Sequence, residues 1–444
     1  MNNYDKLGGG TAWLVWSIAT MFSIASFAFS AAYGVTSTLI AEDLGLTLAQ
    51  IGILGAIYTW AVAVMQLLSG PIMDHMGLRS LPYAAVFSAL GGFLYANSVS
   101  FEMLVLANLC MSIGGCFAFV GAGLVGGRWF GFHKFGMMLG IVAGLGSLFN
   151  YVNQNILRSV VLDYGWSASL NFIATVIAVI VVLMLIFVRE PRQPDSPTFK
   201  WPGFKVLCIE VVKSLTSVAG KMRLWWNTLH AGTTFGAHLS ISLVWGPILL
   251  MQMDMTLLQA VSISSFAFLG YLIGCPLWVW FCDRVKSFML PASILCFMQG
   301  GVLALIILYP DLANRPMFFL LGLLAANTVL NYPIAGAMIP QSLLGAACAQ
   351  VNAMQFLWTG ILMAVPGLAL SGVGIWAMIA GTSGIDADAP TLANFQSAFM
   401  LIPYSLVLGG FGGLFTLESY PSEKNAHLRE EQVPVPSAQL APAE

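Results

Sequence analysis

The sequence predicts an all-α polytopic membrane protein of twelve transmembrane helices in two bundles of six, with both termini cytoplasmic. Three observations carry this expectation. The 444 residues are 58% hydrophobic and only 8% charged, with a mean hydropathy of +0.84; an average soluble domain has about 25% charged residues. Most of the chain can be tiled by apolar segments of the ~20 residues that a bilayer core about 30 Å thick requires. One long polar interruption, Arg189 to Met222, carrying Pro191, Pro194, Pro197 and Pro202, divides those segments evenly.

In order, the segments fall at 12–36, 49–72, 80–99, 103–127, 137–158 and 166–188, then at 225–252, 257–280, 288–308, 317–338, 346–374 and 392–415. The domain organisation follows: an N-terminal bundle over 12–188, a linker over 189–224, a C-terminal bundle over 225–415 and a tail over 416–444. The tail is rich in Glu, Pro and Ala without hydrophobic periodicity, the composition of a disordered segment. Within the linker, Phe204 to Leu215 intersperses Lys and Glu with aliphatic residues. That pattern fits a helix lying on the membrane surface, and equally a helix packed on the bundle.

Orientation follows from Lys and Arg, which concentrate in short cytoplasmic loops. With the N-terminus inside, all of the 17 Lys and Arg residues except Arg158 and Arg315 fall on the cytoplasmic side. The single Lys before the first apolar segment, without a small-residue cleavage site, makes that segment a retained span. The seven cysteines form no Cys-x-x-Cys pair and fall mostly in apolar runs, so they read as small packing residues. No cofactor or metal is expected, and a net charge of −2 gives no nucleic-acid partner.

Charge is otherwise scarce, so its concentration in Gly70-Pro-Ile-Met-Asp-His-Met-Gly-Leu-Arg-Ser80 stands out. Gly70-x-x-x-Asp74-His75-x-Gly77-x-Arg79 resembles the signature between the second and third helices of the major facilitator superfamily, usually Gly-x-x-x-Asp-Arg-x-Gly-Arg-Arg. His75 stands where Arg is commonest and Leu78 where a further basic residue usually sits. The second bundle has a degenerate copy in Asp283-Arg284-Val285-Lys286, with Val279 in place of the leading Gly. Arg128-Trp-Phe and Gly140-x-x-x-Gly144-x-Gly146 add to the resemblance, which covers residues 12–415. It implies pseudo-symmetric bundles, a monomer, and a gating role for Asp74, His75, Arg79, Arg128, Asp283, Arg284 and Lys286. In physical terms, a carboxylate near a helix N-terminus and cationic side chains of the other bundle can latch the cytoplasmic ends together. In the fourth span, Asn108-x-x-x-Ser112-x-Gly114 stands where many members have Arg-x-x-x-Gly-x-Gly, which argues against proton-coupled antiport.

All Asp and Glu residues fall in loops, linker, tail or span ends, and no Lys or Arg sits deep in a span. Because ionisable groups inside a bilayer are expensive and usually functional, the translocation path is expected to be neutral and polar. Amides mark its candidate lining. Asn150, Asn153 and Gln154 share a face of the fifth span, Asn352 and Gln355 one of the eleventh, and Asn327 and Asn331 one of the tenth, with Tyr33 and Asn108 on the first and fourth. Unsatisfied amides cost several kcal/mol in hydrocarbon, so these faces look inward, as interhelical glue or as a wet cavity. His238 lies near mid-depth in the seventh span, on a face with Trp245, and is the candidate site of coupling to H+. His230, beside Trp225 and Trp226, reads as interfacial.

The function expected is secondary transport of a small polar organic solute across the inner membrane by alternating access, not enzyme catalysis. No Walker-type run, His-Glu-x-x-His or deep carboxylate pair is present. Efflux of hydrophobic compounds through a Met- and aromatic-rich pocket and organic-anion exchange are the alternatives. The partners expected are the solute, the lipid bilayer and H+. The topology has a direct test: in the full chain, a thiol placed at position 79 reacts with impermeant maleimide only after permeabilisation, and one placed at 315 reacts in intact cells. The opposite pattern refutes the orientation.

Overall fold

The computed structural model describes residues 5–46, 48–193, 203–386, 390–416 and 420. Among the described residues the secondary structure is helical, with no strand. Six helices precede the linker: α1 (Gly10–Leu44), α2 (Leu48–Met76), α3 (Ser80–Ala96), α4 (Phe101–Phe130), α5 (Phe135–Tyr164) and α6 (Trp166–Phe187). The linker helix is α7 (Phe204–Ala219). After it come α8 (Met222–Ser240), α9 (Gly246–Met251), α10 (Leu257–Ser264), α11 (Phe266–Val285), α12 (Met289–Leu308), α13 (Arg315–Ala325), α14 (Asn331–Ala337), α15 (Leu344–Leu370), α16 (Gly374–Ala380), α17 (Leu392–Phe399) and α18 (Leu401–Phe415). Among the described residues, ten helical stretches are long and apolar enough to cross a membrane, and the apolar α3 is shorter at 17 residues.

The surface is that of a membrane protein. Trp60, Val64 and Leu68 on α2, and Leu290, Ile294 and Met298 on α12, form exposed apolar stripes at four-residue steps. Water would not tolerate such stripes on a soluble monomer. The interior is correspondingly polar at chosen points.

Several expected spans are continuous but irregular, for identifiable reasons. Between α8 and α9 the chain makes a wide π turn over Ile241–Trp245, where the Gly246 N–H reaches back five residues to the Ile241 carbonyl. Pro247 follows and can donate no bond. Between α13 and α14 the chain tightens into a 3₁₀ turn over Ala326–Leu330, ahead of Pro333. Such local changes of pitch often mark functional hinges.

The helices before the linker pack among themselves, with α3 on α4 and α6, and α1 on α4, α5 and α6. Those after it do likewise, with α8 on α15 and α18, and α11 on α13. The most extensive contacts between the groups are those of α2 with α15 and of α5 with α11. One apolar cluster runs across these seams through Met73, Leu330, Tyr332, Leu344 and Cys348, and a second lies within the later group around Ile241, Phe318 and Phe399.

Glycine makes the approach possible. A Cβ on Gly70 would stand 2.0 Å from the Gly345 carbonyl oxygen, so α2 and α15 touch backbone to backbone. On the other seam, Val279 of α11 packs against Gly136 and Gly140 of α5. The bulky residue in the second motif copy is therefore accommodated by glycines on the facing helix. Within the second group, a Cβ on Gly322 would lie 1.8 Å from the Ala267 carbonyl oxygen, whereas one on Gly301 meets nothing within 4 Å. Gly322→Ala is expected to lower the unfolding midpoint of the purified protein by several degrees and Gly301→Ala to leave it unchanged, since over-packing costs about 1–3 kcal/mol. Equal midpoints for the two variants would contradict this packing.

Candidate functional site

The charged turn and the amides occupy two levels of the same α2–α15 seam. At the motif end, Asp74 lies at the last turn of α2 and α15 begins beside it. The Asp74 carboxylate accepts hydrogen bonds from the Gly345 and Ala346 N–H groups, both at 2.9 Å. These are orphan donors of the first turn of α15, and a carboxylate there also meets the positive end of the helix dipole. The sequence reading anticipated a helix N-terminus together with cations of the other bundle. Among the described residues, the hydrogen-bond donors that reach Asp74 across the seam are these two backbone N–H groups.

The rest of the turn is held within its own helix group. Gly77 takes φ +71°, a left-handed turn, and the Leu78 N–H donates to Glu190 Oε1 at 2.8 Å. Glu190 also pairs with Arg128, which ends α4. Glu190 is thus an organising residue that the sequence reading missed, because it stands at the start of the linker and outside the quoted motifs. Alongside, Arg189 grips Asp5 in a bidentate pair at 2.6 and 2.9 Å. The Arg189 guanidinium holds the Asp5 carboxyl down to about 2. The His75 ring meets Ser214 Oγ of α7 at 3.2 Å, and Arg79 is exposed.

The second motif copy repeats the turn but not the capping. Lys286, aligned with Gly77, also adopts a left-handed conformation, φ +56°, at a cost of roughly 1 kcal/mol for a residue with a Cβ. Asp283 accepts from the Tyr420 hydroxyl at 3.3 Å, which in turn accepts from Lys286 Nζ at 3.1 Å. Arg284 stacks over Trp280. Apart from Tyr420, the tail beyond Thr416 lies outside the described residues.

Nine to twelve residues into α15, about 12–17 Å along it at 1.5 Å per residue, Asn352 and Gln355 join a hydrogen-bonded chain between the helix groups. Asn352 Nδ2 donates to Gln66 Oε1 of α2 at 2.8 Å, and Gln66 Nε2 donates to Ser69 Oγ at 2.9 Å. The Tyr332 hydroxyl faces Asn352 Oδ1 at 3.1 Å and Gln355 Oε1 at 2.8 Å. With one proton, it donates to one of them at a time. Gln355 Nε2 continues the chain to Thr328 Oγ1 at 2.9 Å, which donates to the Ala231 carbonyl of α8. All of these side chains are buried.

Asn331 extends the same network. Its Nδ2 donates to the Thr328 carbonyl at 2.8 Å, its Oδ1 meets His230 Nδ1 at 2.9 Å, and its carbonyl accepts from Asn227. His230 Nε2 meets the Ala292 carbonyl at 3.2 Å. His230 is 1% exposed; it is a core residue, not the interfacial one expected from its tryptophan neighbours. Trp225 does reach the surface, with its indole N–H on the Ala219 carbonyl.

The other candidates are placed as follows. His238 stacks on Tyr271 at 4.7 Å and lies edge-on to Phe268, with Nδ1 3.5 Å from Ser242 Oγ. Trp245 does not share that environment. It packs on Phe399 and donates to the Leu362 carbonyl, because the π turn between the two residues shifts the helical phase that the sequence reading had assumed.

Asn327 donates to the Leu324 carbonyl of its own helix. Asn108 stitches α4 to the Leu54 carbonyl of α2, and Asn153 stitches α5 to the Ala28 carbonyl of α1, both at 3.2 Å. These two serve as interhelical ties. Asn150 and Gln154 are half-buried on α5. The side chain of Tyr33, on α1, lies outside the described part of the structure. On the α5–α11 seam the bridging amide is Asn155, bonded to Ser265 Oγ at 3.3 Å, a residue the sequence reading did not single out.

Comparison with known sequences accords with this architecture. The profile of the Major Facilitator Superfamily matches residues 18–363. The chain belongs to the Major Facilitator Superfamily. Superfamily membership and the ten apolar helices make it a multi-pass membrane protein. Curated relatives include a probable nitrate transporter of Staphylococcus carnosus, 25% identical over 191 residues (43% of this chain, 48% of the relative). A nitrate/nitrite transporter of Picosynechococcus is 32% identical over 113 residues (25% and 21%). A probable L-galactonate transporter of Escherichia coli is 27% identical over 137 residues (30% and 29%). The chain thus aligns with half or less of each of these relatives.

Removing the Tyr332 hydroxyl leaves buried amides without their shared partner. Tyr332→Phe is therefore expected to destabilise the protein by about 1–3 kcal/mol, read as a lower thermal midpoint. Tyr404→Phe, on an exposed position of α18, serves as the control with no change. An unchanged midpoint for Tyr332→Phe would show that the network does not bear on stability.

Proposed function

We propose that this chain is a secondary active transporter that moves a small hydroxyl-bearing organic solute, of the sugar or sugar-acid kind, by alternating access. In this reading α2 and α3 complete a set of twelve spans, the two six-helix bundles over 12–188 and 225–415 act as rocking bodies, and both termini face the cytoplasm of an inner-membrane protein. Asp74 on the α15 N-terminus closes the cytoplasmic end, so the conformation described is the one with that end shut. His75, Arg79, Arg128, Asp283, Arg284 and Lys286 complete the gating set, and the unit of transport is the monomer.

The observation that carries the substrate class is the neutral chain Gln66–Asn352–Tyr332–Gln355–Thr328, near mid-membrane on the seam. Each of its amide and hydroxyl groups both donates and accepts, as sugar hydroxyls do, so a polyhydroxy solute can replace the protein partners one for one. A bare inorganic anion offers acceptors only and calls for fixed positive charge. Among the described side chains every Lys and Arg sits at a helix end, in a turn or in the linker. This favours hydroxyl-bearing solutes over nitrate, and neutral sugars first among them, because the carboxylate of a sugar acid such as that named for the Escherichia coli relative calls for the same fixed positive charge. Nitrate transport remains the second reading, on the strength of those two names.

His238 remains the proposed site of coupling to H+, with His230 taken up by the network, its two ring nitrogens facing Asn331 Oδ1 and the Ala292 carbonyl. Proteoliposomes containing the full chain are expected to take up labelled sugars, in competition with L-galactonate or a related sugar acid, with no competition by nitrate. His238→Gln is expected to abolish ΔpH-driven accumulation while sparing exchange. Nitrate uptake without sugar or sugar-acid uptake overturns the substrate class, and undiminished accumulation by His238→Gln removes the coupling role.

A further inference from the structure

His230 is held between two hydrogen-bond acceptors that a neutral imidazole cannot both satisfy. Its Nδ1 lies 2.9 Å from Asn331 Oδ1 and its Nε2 3.2 Å from the Ala292 carbonyl oxygen. The carbonyl can only accept. Asn331 is fixed with its oxygen toward the ring because its Nδ2 donates to the Thr328 carbonyl at 2.8 Å, and the flipped amide would set two oxygens against each other there. Turning the imidazole over would place ring carbons against both acceptors. A neutral imidazole carries one N–H, so one of the two contacts opposes lone pair to lone pair. The imidazolium carries two N–H groups and makes both bonds.

The surroundings of the ring supply no counter-charge. The elements packed on α8 at this level, α12, α14, α15 and α18, contain no Asp, Glu, Lys or Arg. Their titratable side chains are Cys296, whose thiol is bound to the Leu406 carbonyl, Tyr332 of the amide network, Cys348 and exposed Tyr404. On α7, Lys213 pairs with Glu210 and Lys205 is exposed, while Arg315 of α13 stacks over Phe266 at the far end of its helix. On α8 itself, Arg223 and His238 stand about two turns to either side. A Cβ on Gly413 of α18 would lie 3.2 Å from the ring, so a glycine makes room for it. Two costs therefore oppose each other. The neutral ring leaves one contact repulsive, and the charged ring is buried without an ion partner. A side chain that takes up and returns a proton needs such a balance.

We propose that His230 is a proton-binding site of this protein and that its proton sets the state of the amide network. With the proton bound, the ring ties Ala292 of α12 to Asn331 at the start of α14. Without it, the ring keeps one tie and releases the other. Asn331 is bonded to Thr328, whose hydroxyl accepts from Gln355, so the change reaches the groups proposed to hold the solute. The protonation stands on the geometry alone, whereas its bearing on the solute rests on the proposed function. The coupling role proposed for His238 is separate, since that ring faces Ser242 Oγ and two aromatic rings rather than a pair of acceptors.

The test uses the full chain in lipid nanodiscs, with isotope-labelled histidine read by nitrogen NMR. The signal of His230 is assigned by its loss in His230→Gln or, should that variant not reconstitute, by its survival in a chain with His75, His133, His238 and His427 replaced by Gln. The ring is expected to show two N–H nitrogens at about pH 5 and one N–H with one bare nitrogen at about pH 8, the span over which histidine ordinarily changes charge. Asn331→Leu removes one acceptor of the charged form, so its transition is expected at lower pH than in the parent. A bare nitrogen at both ends of the range overturns the proposal, as does a doubly protonated ring at both ends or a transition that Asn331→Leu leaves in place. For the network, the side-chain amide signal of Gln355 is expected to shift with the same midpoint; an amide that stays constant through the transition of His230 refutes the link. These readouts need no solute, so failure to find a transported one would count against the transporter reading alone.

Discussion

The structure depends on one contact, a carboxylate at the end of one helix accepting the first two free N–H groups of another. Asp74 can reach the start of α15 because Gly70 and Gly345 remove the side chains that would hold α2 and α15 apart. Without the glycines the carboxylate would be too distant. Without the carboxylate, two orphan N–H groups would be left in a seam that has no hydrophobic drive of its own toward lipid. Glu190, Arg128 and the left-handed Gly77 fix the turn that aims Asp74, and the linker helix closes over it through His75 and Ser214.

The two seams are alike in topology and different in chemistry. The α5–α11 seam has Val279 against Gly136 and Gly140, and its motif carboxylate, Asp283, is bound to Tyr420. A chain with one capped seam and one uncapped seam can hinge about the second while the first opens and closes. The amide network lies on the capped seam, so the group proposed to shut the end and the groups proposed to hold the solute are carried by the same pair of helices. Coupling between them then requires no relay beyond about 15 Å of α15.

Much of this was legible in the sequence, for reasons that differ from residue to residue. Helices and their order follow from apolar length alone, since a bilayer admits few alternatives. Asp74 was legible because charge is scarce around it. The amides were legible as inward-facing, but their periodicity could not separate Asn108 and Asn153, which tie neighbours together, from Asn352 and Gln355, which bridge the helix groups; that depends on which helix faces which. Gln66 passed unnoticed as a polar residue in an apolar run, and Asn155 and Thr328 because they stand beside Gln154 and Asn327, off the faces that the periodicity picked out. Glu190 looked like a linker charge. The pairing of His238 with Trp245 failed because five residues of π pitch are invisible to a count in steps of 3.6, although Gly246-Pro247 marks the place where an α-helix would have difficulty continuing.

The most direct test of the central claim is the distance across the capped seam. Nitroxides at Arg79 and Ser342, both exposed positions flanking the Asp74 contact, report it by double electron–electron resonance in lipid. The account predicts a short, narrow distribution in the parent protein and a longer, broader one in Asp74→Asn, whose amide presents an N–H to the N–H groups that the carboxylate accepted. Identical distributions in the two proteins would contradict the claim that this carboxylate holds α2 and α15 together.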